Sequence, residues 1–136
     1  MITKSFLKEL TYQITGACIE VHKALGPGLL ESIYHKCLIH EFTLRGINFI
    51  SEITIPVEYK GINVQTNLRC DFIVEDAILI DLKSKETVLP IDQAKILSYM
   101  KLLQKPKGII VNFNVVNIFH EGQQTFVNEF FKNLPE

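Results

Sequence analysis

The 136-residue chain has a formal net charge of −1, with 47% hydrophobic and 21% charged residues, which fits one globular domain with a real core and excludes extended disorder. Near-neutral charge offers no global field for a polyanion, and no apolar run reaches the roughly 18 residues that a bilayer span requires. Cys18, Cys37 and Cys70 are widely spaced without a C-x-x-C pair, and the start MITKSFLKELTYQ is unlike a signal peptide, so the expectation is a cytoplasmic protein with reduced thiols and no membrane partner.

Phe6, Leu7, Leu10, Ile14, Ala17, Cys18, Val21 and Leu25 recur at helical spacing, which predicts an amphipathic helix over Lys4–Leu25, closed by Gly26-Pro27-Gly28. A second helix is expected from near Leu29 to about Leu44, with Arg45-Gly46 as its exit. Phe49–Tyr59 and Ile62–Leu68, broken at Lys60-Gly61, read as a hairpin of alternating strands. Cys70–Val74 and Ala77–Leu82 read as a second hairpin joined at Glu75-Asp76. Pro90 precedes a helical segment over Ile91–Leu103, and Gly108–Phe113 follows as a continuous buried strand. Strand, helix and strand imply a right-handed parallel crossover. The last element, Thr125–Lys132, reads as a short helix. The order αα-ββββ-α-β-α predicts a single α/β domain, residues 1–136, built on a mixed sheet flanked by helices.

Within this pattern the segment Arg69–Lys83 is unusual, because two carboxylates and a lysine interrupt what should be the most apolar part of a sheet. A turn centred on Asp76 sets Asp71 opposite Asp81 and Arg69 opposite Lys83, with directly opposed Cβ atoms roughly 5 Å apart. Two carboxylates held so close repel, and one of them resists ionisation unless a cation settles between them. On Ala77–Lys83, the residues Ile78, Ile80 and Leu82 face one way, whereas Ala77, Leu79, Asp81 and Lys83 face the other. A strand that begins apolar on both faces and turns charged on one is emerging into a cleft, where open α/β sheets commonly bind ligands. Asp71 and Asp81, with the Leu82 carbonyl, offer the oxygen ligands that Mg²⁺ or Mn²⁺ prefers. Lys83 would sit beside that cation and could orient or deprotonate a water, or neutralise charge on a phosphoryl group. The plainer reading is that Asp81 pairs with Arg69 while Lys83 reaches for solvent.

Further matches come from GLLESIY at 28–34, preceded by EVHKALGP at 20–27. With RCDFIVEDAILIDLKS and PIDQAKILSYMKLLQKPKGIIVNFN, this pattern resembles the GxxExxY family of the PD-(D/E)XK nuclease-like superfamily over nearly the whole chain. The resemblance implies a restriction-endonuclease-like core in which Glu31, Asp71 and Asp81 ligate a divalent metal and Lys83 is the catalytic lysine. Related nucleases often carry Gln-x-x-x-Tyr on the following helix, but the position four before Tyr99 is Lys95, with Gln93 two residues earlier. Gln93, Lys95, Tyr99 and Tyr34 are therefore candidate substrate contacts.

The alternatives to these roles are structural. Glu31 lies in a first helical turn, where the dipole favours a carboxylate regardless of function. Tyr34 suits core packing with a hydroxyl hydrogen bond. His22, His35, His40 and His120 have no zinc spacing and read as ordinary helix-surface or half-buried histidines, His22 near the glycine turn being the one to watch. Lys95, Lys101, Lys105 and Lys107 could face phosphates, or simply solvate a helix end. Phe113 and Phe119 could stack on bases, although most phenylalanines are core.

The sequence thus favours a Mg²⁺- or Mn²⁺-dependent nuclease acting on DNA or RNA. Its rivals are a nuclease-fold binding module without turnover, and a homodimer or accessory subunit that works through a protein partner.

Overall fold

A computed structural model describes the whole chain, residues 1–136. Helix α1 (Lys4–Leu25) is opened by the Thr3 hydroxyl, which accepts from the Phe6 N–H at 3.0 Å, and is closed at Gly26, whose φ of 75° few side chains tolerate. Helix α2 spans Glu31–Leu44, starting two residues later than the periodicity suggests. The predicted strand over 49–59 is divided. Strand β1 (Phe49–Thr54) enters the main sheet, and after buried Ile55 and Pro56 the chain turns out into a separate ribbon, β2 (Val57–Tyr59) with β3 (Ile62–Val64). Proline cannot donate to a ladder, which is why pairing stops there.

Strands β4 (Arg69–Val74) and β5 (Ile78–Lys83) form the second hairpin, with Phe72↔Ile80, Ile73↔Leu79 and Val74↔Ile78 paired as the turn at Glu75-Asp76 requires. Both turn residues have φ near 50°, and the Ala77 N–H bonds to the Val74 carbonyl at 3.0 Å, which makes a two-residue primed turn without glycine. Helix α3 (Pro90–Leu103) carries the chain over the sheet to β6 (Lys107–Asn112), parallel to β5.

The end of the chain corrects the sequence reading. Residues 118–122 form a π-helical turn, Gln123–Val127 is strand β7 antiparallel to β6, and only Glu129–Lys132 is helical (α4). The polar run Gln123-Gln124-Thr125 hid an edge strand, whose side chains need not be apolar because one flank has no neighbour. Gln123 instead bonds to Thr15 on α1, and Gln124 to Gln93 on α3.

The sheet order is β1-β4-β5-β6-β7. Helices α1 and α2 cover one face, burying Leu7, Ile14, Leu38 and Phe42 against Phe72, Ile78, Ile80 and Leu82. On the other face Ile96, Tyr99 and Met100 of α3 pack against Leu79 and Ile110. Because β5 is covered on both sides, Ile78–Leu82 are all buried. A charge at the end of such a strand is therefore desolvated unless the helices part, and α2 and α3 both begin near that end.

Candidate functional site

The β1–β4 ladder breaks where the site begins. Ser51↔Phe72 and Ile53↔Cys70 are paired, but Glu52 and Asp71 between them are not, and Glu52 has a φ of 56°. A strand residue with positive φ reverses the local alternation of side chains. Phe49, Phe72 and Val74 accordingly pack beneath α1 and α2, whereas Ile53 and Cys70 pack beneath α3. Asp71 lies at this turnover. Its Oδ2 accepts the Leu82 N–H at 2.7 Å, so the carboxylate substitutes for backbone pairing where β4 and β5 fork.

That fork changes the expected geometry. The hairpin pairing ends at Phe72↔Ile80, so Arg69 does not oppose Lys83; it is exposed and pairs across to Thr54 of β1. Asp81 does not pair with Arg69 either. Its Oδ2 lies 3.3 Å from Lys83 Nζ. Asp71 still acts on Asp81 as a neighbouring like charge at the fork, but not as a flat cross-strand pair.

Asp81 is only 5% exposed, and its Oδ2 accepts no well-formed hydrogen bond. Burial pushes its carboxyl up to about 6; Lys83 pulls the other way, and Asp71 adds to the rise. Burial also disfavours the Lys83 ammonium, but Asp81, Glu31 and Asp92 outweigh it and hold the lysine above its ordinary value. Lys83 therefore stays a cation at neutral pH, which fits charge stabilisation and hydrogen-bond donation rather than proton abstraction.

Glu31 opens α2 at the same corner. Its carboxyl is raised first by partial burial and next by Asp71, while Lys83, Lys95 and His35 oppose the rise. The loop before it is held by Tyr34, which is fully buried, stacks on Phe113 at 4.4 Å, donates to the Gly26 carbonyl at 2.5 Å and accepts the Leu29 N–H at 3.2 Å. A side chain so enclosed does not reach substrate, so Tyr34 shapes the loop instead. Phe113 is core for the same reason. Ser84 closes the corner by donating to the Leu29 carbonyl at 2.5 Å.

On α3, Asp92 caps the helix by accepting the Leu89 N–H at 2.8 Å; it also pairs with Lys85 and stands 4.0 Å from Lys83. Its carboxyl is held below the usual range by Lys85 and then by the Leu89 N–H. Asn112 at the end of β6 ties down the backbone of Lys85 at both its N–H and its carbonyl. Gln93 donates to Gln124 at 2.9 Å and so leans toward β7, and Tyr99 is buried with Lys95 5.5 Å from its ring centre. The lysine cluster is divided, since Lys105 is spent on Asp76 at 3.0 Å.

A cavity of about 340 Å³ opens beside Asp71, lined also by Glu31, Ser32, His35, Lys36 and Glu52. Sequence reasoning read His35 as an ordinary histidine and missed Glu52. His35 sits one turn after Glu31 on the same side of α2, a spacing visible in the sequence; Glu52 gave no signal, because its place depends on the break in β1.

Glu31 and Asp81 each lie within electrostatic reach of both Asp71 and Lys83. No three His, Cys, Asp or Glu side chains are gathered tightly enough to form a metal cluster as they stand. The donor chemistry nevertheless suits a hard cation: the buried Asp81 Oδ2 has the Lys83 ammonium at 3.3 Å but no well-formed hydrogen bond, and burial with the nearby Asp71 charge raises the carboxyls of both Asp81 and Glu31.

A sequence model of the PD-(D/E)XK nuclease superfamily matches residues 8–125. The chain belongs to that superfamily. Its five-stranded mixed sheet, with one parallel pair and helices on both faces, is the PD-(D/E)XK restriction-endonuclease-like architecture. Neither the curated proteins nor the solved structures contain a match. No helix is long and apolar enough to cross a membrane.

Proposed function

We propose that this PD-(D/E)XK domain hydrolyses phosphodiester bonds of nucleic acid with a divalent cation, Mg²⁺ or Mn²⁺. The reading rests on one observation above all: a buried Asp81 oxygen without a hydrogen bond, next to a lysine held in its charged form, at the end of a central strand. Glu31, Asp71, Asp81 and the Leu82 carbonyl are the groups that would hold the cation. Bound there, it would supply Lewis acidity to the phosphate and its leaving oxygen.

The chain's own groups do the rest. Lys83 donates to a non-bridging phosphate oxygen as water attacks phosphorus, the P–O ester bond breaks, and the proton given up by the attacking water ends, through solvent, on the departing oxygen. Asp81 holds Lys83 in place from one side, and Asp92 attracts it from the other. Lys95 on α3, and Lys36 at the cavity rim, would meet phosphates as point charges.

Purified protein incubated with DNA and with RNA in Mg²⁺ or Mn²⁺ should give products that disappear in Asp81→Ala and Lys83→Ala. Cleavage unaffected by either change would refute the assignment. A second reading, a nucleic-acid-binding module without turnover, is favoured by Gln93, which is engaged with Gln124 rather than with the acidic corner. It predicts salt-sensitive binding with no metal-dependent products.

A further inference from the structure

His35 reads from the sequence as an ordinary histidine, yet both of its ring nitrogens are engaged by side chains. Its Nδ1 lies 3.0 Å from Asp71 Oδ1, its Nε2 lies 2.7 Å from Ser51 Oγ, and its ring stacks on Phe72 at 4.4 Å. The side chain is 12% exposed, so the ring is clamped on both edges and one face.

The pattern of donors fixes the tautomer. A carboxylate oxygen can only accept, so the proton sits on Nδ1; Nε2 of a neutral ring then accepts from the Ser51 hydroxyl. Asp71 thus receives two donors, His35 at Oδ1 and the Leu82 N–H at Oδ2, one from α2 and one from β5. Those contacts replace the ladder pairing lost at the Glu52 break, which would otherwise leave Asp71 free to rotate.

The order Ser51–His35–Asp71 has the outline of a nucleophile relay. The cavity, however, is lined by His35 and Asp71 and not by Ser51, so the hydroxyl serves the ring rather than a substrate.

The structure assigns His35 as a positioning residue that holds the Asp71 carboxylate at the strand fork, with Ser51 locking the ring behind it. This inference rests on the metal-dependent reading above, because its consequence is that Asp71 is pre-set to receive a cation. Hydrogen-bonded partners of ligating groups commonly change metal affinity or activity by about 10–100-fold when removed.

The test is Mn²⁺ binding to the full chain, measured by calorimetry and by the free-Mn²⁺ paramagnetic signal, alongside thermal melts. His35→Ala should weaken Mn²⁺ binding by about 10-fold or more, Ser51→Ala by less, and His35→Asn, which keeps an N–H near the Nδ1 position, should recover most of the loss. In parallel, ¹⁵N-detected imidazole spectra of the metal-free protein should show the proton of His35 on Nδ1. Equal Mn²⁺ affinity in wild type and in folded His35→Ala, or a proton found on Nε2, would overturn the positioning role and leave the nuclease assignment standing. A wild-type chain that neither binds Mn²⁺ nor cleaves nucleic acid would bring down both.

Discussion

Replacing Asp81 by asparagine should stabilise the metal-free protein while removing its proposed chemistry. Burial raises the Asp81 carboxyl from the usual 3.8 to about 6 in the folded chain. At 1.36 kcal/mol per pH unit, ionised Asp81 costs the native state roughly 3 kcal/mol relative to the protonated form. The attraction of Lys83 is already counted in that balance, and with the side chain only 7% exposed, solvent screening offers little relief. Between pH 3.8 and 6 the native state holds more protons at this site than the unfolded chain, so wild-type stability falls as pH rises through that window. Asparagine removes the ionisation but must fit its amide beside Lys83, so the net gain at pH 7.5 should be about 1–3 kcal/mol, or ~4–10 °C in Tm. Below pH 4 the gain should vanish. Urea unfolding followed by circular dichroism across pH 4–8, with a chelator present, measures this directly. A variant that is destabilised at pH 7.5, or equally stabilised at both ends of the range, would show that Asp81 is not held against its ionisation.

Other expectations follow from neighbouring contacts. Lys83→Met should lower kcat by about 100-fold or more through loss of the ammonium; its stability at pH 7.5 should also fall, and Asp81→Asn in the same chain should restore it, as a double-mutant cycle would register. Tyr34→Phe removes the hydroxyl that spans Gly26 and Leu29 and should cost about 1–2 kcal/mol by denaturant titration, with faster amide exchange in the loop before Glu31. At Gly108 an added Cβ would meet Met100 Sδ at 2.7 Å and Ile96 carbons at 3.0 Å, side-chain ends that can shift, so Gly108→Ala should cost about 1–3 kcal/mol. At Gly122 the same Cβ would collide with the Asn112 carbonyl, part of the backbone, so Gly122→Ala should be the more destabilising of the two in parallel melts.

What the sequence determined by itself is what depends on local periodicity and punctuation. Helix α1 ends where Gly26-Pro27-Gly28 places it, α3 starts at its proline, and the hairpin at Glu75-Asp76 pairs in the register its turn demands. Those features rest on neighbours within a few residues, so the one-dimensional pattern carries them. The charged end of β5, Asp81 and Lys83, was legible too, because charge in an apolar strand is costly wherever the strand lies. Tertiary structure alone decided how the groups meet. The reversal at Glu52, the fork that hands Leu82 N–H to Asp71, and the approach of His35 from α2 require strands and helices distant in the chain to pack together. Strand β7 was hidden for the same reason: an edge strand is defined by the neighbour it finds, and its glutamines look like loop until α1, α3 and β6 supply their partners.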